Sequence, residues 1–115
     1  MSAARKLAAA QVRDAAPLFA ALGDENRIRL LVRLSSSGPE SITRLSAESD
    51  VSRQAITKHL IVLSKAGLVR DERRGRERVW QLESKRLADA RAYIDRISQQ
   101  WDDALDRLKS FVEGS

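Results

Sequence analysis

From Lys85 to Glu113 the apolar positions are Leu87, Ala90, Ile94, Ile97, Trp101, Ala104, Leu108 and Phe111, separated by alternating steps of three and four residues. Four heptads in phase predict one long helix with a continuous apolar seam. At ~1.5 Å per residue such a helix is roughly 40 Å long, more than so short a chain covers with its own core. The seam therefore predicts a second copy of the chain packed along it, a homodimer. An antiparallel partner within the chain is the competing reading, but the upstream helices are too short to cover the whole seam.

Upstream, the pattern breaks into shorter pieces. At Leu22-Gly23-Asp24 the glycine closes one helix and Asp24 offers a side-chain acceptor to cap the next. Leu22 and Ile28 flank that cap in the manner of a hydrophobic staple. The helix through ENRIRLLVRL is expected to turn Ile28, Leu31 and Val32 inward and to stop at a loop, Ser35 to Pro39. A short helix follows from Ile42 to Glu48, capped by Ser41 and burying Ile42 and Leu45. After the tight connection ESDV, Ser52 caps a helix predicted over Arg53 to Ala66. Its inward stripe is Ile56, Leu60 and Leu63, and Gly67 supplies the left-handed residue that ends it. In LVRDERRGRERVWQL, the strand formers Leu68, Val69, Val79, Trp80 and Leu82 flank a charged turn at Arg74-Gly75-Arg76, the pattern of a hairpin with a basic tip.

A short helix, a turn and a second helix with a polar N-terminal face form the helix-turn-helix layout, whose second helix enters the DNA major groove. Ser52, Arg53, Gln54, Thr57 and Lys58 lie on the first turn and a half, opposite Ile56 and Leu60. A hydroxyl and helix-end amides suit phosphate, whereas Gln54, Lys58 and Arg53 can hydrogen-bond base edges. Solvation alone also gives a helix a polar face; the hairpin tips the balance, because Arg73, Arg74, Arg76 and Arg78 crowd one tip that reaches the adjacent backbone or minor groove. His59 is a candidate DNA contact, with helix packing as its other role. Trp80 reads as core of the wing and Trp101 as part of the dimer seam. The fold class expected is mainly α with a small β-hairpin: a winged helix-turn-helix, its DNA-binding core spanning 14–83 and its C-terminal dimerisation helix 84–113 of a single 115-residue domain.

Charge strengthens this picture. Of 21 basic and 16 acidic residues, Val51 to Arg86 holds 10 and 4, so the polyanion-facing surface belongs there. The absence of cysteine and the single histidine exclude a disulfide framework, a zinc finger, a cysteine nucleophile and a multi-histidine metal centre. His59 has no serine or aspartate at relay spacing, so an enzyme is not expected. Aromatic residues, 4% of the chain, are too few for a single-strand stacking platform. The opening MSAARKLAAAQVRDAA lacks a signal-peptide core and no run of 18 apolar residues occurs, so a cytoplasmic protein with no membrane partner is expected. The course of residues 1–13 is left open.

FAALGDENRIRLLVRL and SRQAITKHLIVLSKAGLVRDERRGRERVWQL together resemble the ArsR/SmtB family of winged-helix repressors, over roughly Ala15 to Leu87. The resemblance implies a homodimeric transcriptional repressor on a palindromic operator in double-stranded DNA, one recognition helix per half-site. Metal-sensing members place a cysteine pair with an acidic residue on the helix before the recognition helix, or histidine and carboxylates on the last helix. Here the first reads ITRLSAE and the last has no histidine. Asp89, Asp95, Asp102, Asp103 and Asp106 read as a solvated face. DNA binding and dimerisation are therefore expected without a metal site or other cofactor, and any small-molecule effector is left unknown. The alternative is a winged-helix module that binds protein instead of DNA.

Overall fold

A computed structural model describes residues 8–114. The elements run α1 (Ala9–Leu22), α2 (Glu25–Ser37), β1 (Glu40–Ser41), α3 (Ile42–Ala47), α4 (Arg53–Lys65), β2 (Val69–Arg74), β3 (Glu77–Leu82) and α5 (Ser84–Gly114). Of the N-terminal segment left open by the sequence, residues 9–13 begin α1, and residues 1–7 lie outside the described residues.

Helices α2, α3 and α4 start where a side chain can satisfy a free amide. Asp24 accepts from the Arg27 amide, Ser41 from Arg44 and Ser52 from Ala55. Leu18 and Ala21 of α1, Leu30, Leu31 and Leu34 of α2, Leu45 of α3, and Ile56, Leu60 and Leu63 of α4 meet Leu68, Val69, Trp80 and Ala90 in one core. Burying a leucine as fully as Leu60 or Leu63 stabilises by about 1.5–3 kcal/mol.

Helix α2 corrects the sequence reading twice. It continues through Ser37, where a loop was expected: the hydroxyls of Ser36 and Ser37 bond back to the carbonyls of Val32 and Arg33, and Gly38 ends the helix at φ 80°. Its inward face is Leu30, Leu31 and Leu34, whereas Ile28, expected to staple Leu22, is 46% exposed and Val32 is 58% exposed. The reason is Arg27. Its Nε donates to the Ala21 carbonyl at 2.6 Å and its Nη2 to that of Ala20 at 3.3 Å, tying the end of α1 to the start of α2 and fixing the rotation of the helix.

The hairpin is as expected, with Gly75 at φ 63° in its turn, but it belongs to a three-stranded antiparallel sheet in the order β1-β3-β2. Glu40 of β1 stands opposite Trp80 and Ser41 opposite Val79. Glu40 is only 7% exposed. Arg33 grips it with two bonds, Nε to Oε2 at 2.6 Å and Nη2 to Oε1 at 3.0 Å, and also reaches Glu48 at 3.0 Å. One guanidinium thus joins α2, β1 and the end of α3. Its hydrogen bonds hold the Glu40 carboxyl below the usual glutamate range, against the opposing effect of burial.

At the far end of α4, Gly67 adopts φ +78°, and a Cβ there would lie 2.9 Å from Cγ of Arg86. That arginine bonds Asp14 of α1 at 3.2 Å and Asp89 at 2.8 Å, while the Tyr93 hydroxyl donates to the same Asp14 carboxylate. The hydroxyl of Tyr93, followed by Arg86, draws the Asp14 carboxyl below the ordinary aspartate range. Gly67→Ala is expected to destabilise the fold by about 1–2 kcal/mol through left-handed backbone alone. Denaturant unfolding checks this. Adding Arg86→Ala relieves the steric contact but not the backbone penalty.

Helix α5 has 31 residues, as the heptads predicted. Its first turns pack inside the protomer: Leu87 and Tyr93 lie against the core, Tyr93 meets Phe19 edge-on at 6.5 Å, and Ala90 is buried. Leu87 and Ala90 therefore serve the protomer's own core, where a dimer contact was expected, because α1 covers this end of α5. Beyond Tyr93 the helix projects, and the molecule measures 69 × 26 × 21 Å. Among the described residues no helix is long and apolar enough to cross a membrane.

Candidate nucleic-acid interface

The recognition-helix candidates fall into two groups. Ser52, Arg53, Gln54 and Lys58 are exposed at the start of α4. Thr57 is half-buried and its hydroxyl donates to the Arg53 carbonyl at 2.9 Å. His59 is half-buried, with Nδ1 3.4 Å from Nη1 of Arg27. The inward rotation of Arg27 that sets α2 also brings its guanidinium beside His59. Behind it, a cavity of about 240 Å³ opens between α2 and the turn before α4, with Leu30, Leu45 and Ile56 among its walls and Arg33 and Glu48 nearby.

Arg73, Arg74, Arg76 and Arg78 are all exposed on the wing. Two of the four have internal partners that a residue count does not reveal. Arg74 pairs with Glu72 at 2.7 Å and Arg78 with Asp71 at 2.9 Å. The Arg74 contact holds the Glu72 carboxyl below its ordinary range. Arg73 and Arg76 have no carboxylate partner among the described residues. In the strand register Arg73 stands directly opposite Arg78, a like-charge pair that is unfavourable unless an anion intervenes.

The structure brings the two candidate groups together. A groove of about 280 Å³ runs between α4 and the wing, lined by Arg53 and Thr57 on one side and Arg76, Glu77, Arg78 and Trp80 on the other, with Ile42 and Thr43 of α3 completing it. Thr43 was not singled out from the sequence, since nothing in a lone threonine on a short helix shows that it faces the wing.

The seam of α5 forms a second surface. Ile94, Ile97, Trp101, Leu108 and Phe111 are exposed, Trp101 at 67%, and Ala104 is half-exposed. Leu105 and Val112, outside the heptad positions named from the sequence, add to the exposed apolar surface.

Residues 22–72 match a helix-turn-helix domain family. The chain is 40% identical over 93 residues to the HTH-type transcriptional regulator Rv2034 of Mycobacterium tuberculosis, covering 81% of this chain and 83% of that protein. An ArsR-like transcriptional regulator from Rhodococcus sp. RHA1 superposes with a TM-score of 0.87 at 33% identity, covering 95% of this chain and 99% of that one. A homodimeric winged helix-turn-helix DNA-binding domain from Mycobacterium bovis shares the fold, with a TM-score of 0.64 at 20% identity over 80% of this chain and 84% of its own. With this fold and these relatives, the chain belongs to the ArsR family of winged helix-turn-helix transcriptional regulators, and it is a DNA-binding regulator.

Proposed function

We propose that the protein is a sequence-specific repressor that binds a palindromic operator in double-stranded DNA as a homodimer. The observation that carries this reading is the joining of Arg53 on α4 with Arg76 and Arg78 of the wing across one groove, with Gln54 and Lys58 exposed on the same helix, while the apolar seam of α5 is exposed beyond its own protomer. Two copies paired along α5 would present two recognition helices to successive major grooves, about 34 Å apart. The homodimeric Mycobacterium bovis domain supports the pairing by analogy of fold.

Gln54, Thr57 and Lys58 would discriminate bases, and Arg73 and Arg76, the wing cations without a carboxylate partner among the described residues, would take phosphates. Selection of bound duplexes from random sequence tests the proposal by returning an inverted repeat. Gln54→Ala is expected to relax preference at one position per half-site, by about 1–3 kcal/mol. Equal loss on operator and random duplex removes Gln54 from base reading. Arg73→Ala with Arg76→Ala is expected to weaken binding to every duplex and flatten its salt dependence, since each phosphate contact contributes about 0.9 to the slope. Arg74→Ala, already paired with Glu72, has the smaller effect. A wild-type protein that ignores every duplex at low salt would favour a protein-binding module.

A further inference from the structure

One side of α4 belongs to the core, where Ile56, Leu60 and Leu63 are buried. On the opposite side, steps of four, three and four residues put Gln54, Lys58, Ile61 and Lys65 in one row, and all four are exposed. Seven residues separate Gln54 from Ile61, within ~20° of two full turns, so both project from the same strip of the helix. Three members of the row are polar, as solvation asks. Ile61 is a branched aliphatic side chain, 43% exposed and outside the core.

Single apolar side chains are common on protein surfaces, and it is the position of this one that carries weight. One turn before it stand Lys58 and Thr57, the latter on the wall of the groove shared with the wing. Ile61 therefore lies on the strip that the recognition helix would lay in the major groove. It is ~10 Å beyond Gln54 along the axis, about three base pairs. Its neighbour Val62, also exposed, is turned ~100° away from that strip.

The chemistry of the side chain selects its occupant. Isoleucine has neither donor nor acceptor, so against a base-edge amino group, carbonyl or ring nitrogen it displaces water and offers no bond in return. The apolar group that base edges present in the major groove is the 5-methyl of thymine. Contact between the two removes apolar surface of both from water. Branching at Cβ also suits the task, because a stiff side chain has little rotamer freedom to lose on docking.

We propose that Ile61 is a specificity-determining residue that packs on the 5-methyl group of one thymine in each half-site, about three base pairs from the base read by Gln54. The inference rests on the DNA-binding reading and adds to it a base identity and a reader that makes no hydrogen bond. Since the contact neutralises no phosphate, it leaves the salt dependence of binding unchanged.

Selection of bound duplexes, run in parallel on wild type and Ile61→Ala, is expected to return a fixed thymine with wild type and a mixed base at that position with the variant. The position differs from the one that Gln54→Ala relaxes. Replacing this thymine by uracil removes the methyl and keeps every hydrogen-bonding group. The exchange is expected to weaken wild-type binding about fourfold per half-site, the weight of one buried methyl. With Ile61→Ala most of that difference disappears. The variant matches wild type in circular dichroism and sedimentation, because the side chain is exposed in the protomer. Uracil placed at each thymine of the half-site without loss of wild-type affinity overturns the methyl contact, as does a loss shared equally by Ile61→Ala. The DNA reading then stands if Gln54→Ala still changes sequence preference. An Ile61→Ala protein that sediments as a smaller species would place this side chain between copies and also overturn the proposal. Wild-type protein that binds no duplex removes both readings.

Discussion

Arg33→Met is expected to lower the free energy of unfolding by about 2–3 kcal/mol, read from denaturant midpoints at neutral pH. The substitution keeps much of the aliphatic bulk and removes the two bonds to Glu40, the pair with Glu48 and a 3.3 Å bond to the Arg44 carbonyl. Breaking a buried ion pair from one side typically costs 3–5 kcal/mol, because the surviving charge is left uncompensated. Arg33 is 22% exposed, so water reaches the site and the lower figure is expected. Replacing both partners, Arg33→Met with Glu40→Leu, is expected to restore much of the loss, as apolar substitution of whole buried pairs commonly does.

Acid gives an independent check. The Glu40 carboxyl sits below its ordinary value of 4.5, chiefly through hydrogen bonds from Arg33. The unfolded chain therefore takes up this proton at a higher pH than the folded one. The stabilisation is complete above the unfolded value and is lost as pH falls through the folded value. The gap between wild type and Arg33→Met is expected to narrow below about pH 4.5. A gap that is constant with pH would mean that the arginine acts through packing alone.

Ile97→Asp combined with Leu108→Asp is expected to yield a monomer whose affinity for a two-half-site operator falls by about 10²–10⁴-fold. Its affinity for a single half-site stays unchanged. Both side chains are exposed in the protomer, so the aspartates disturb its own core little, and helicity by circular dichroism should match wild type. Within a dimer the same carboxylates would be taken from water into an apolar seam. Sedimentation measures the first effect and duplex titration the second. Wild-type protein that sediments as a monomer at micromolar concentration would overturn the paired arrangement.

Much of this architecture was legible because it depends on local rules. Asp24, Ser41 and Ser52 mark helix starts by the chemistry of a short acceptor, and Gly67 and Gly75 mark positions with positive φ. The heptads from Leu87 onward specify α5 almost to the residue. What escaped depends on partners distant in sequence or on register. Strand β1 has two residues, too few to show a period of two. The burial of Glu40 follows from Arg33, which the sequence presents only as one more surface charge. Arg27 turned inward to the carbonyls of α1, so α2 presents Leu30 and Leu34 to the core in place of Ile28 and Val32. The interface was legible in composition and not in detail: the arginines were visible, but Arg74 pairs with Glu72 along its own strand and Arg78 with Asp71 across the hairpin, which leaves Arg73 and Arg76 without a carboxylate partner among the described residues. His59 read equally well as a DNA contact or a packing residue, and its contact with Arg27 was not visible in the sequence.

The strand order bears on how copies of this chain avoid one another. With β3 in the centre and β1 only two residues long, β2 offers the longest open edge of the sheet, a template on which a stray strand could add. That edge reads Val69 and then Arg70, Asp71, Glu72, Arg73 and Arg74, all five charged residues exposed. An incoming strand would have to strip water from them at every position, so wing-to-wing aggregation is disfavoured in concentrated solution. Association between copies is thereby directed away from the sheet and toward the apolar face of α5.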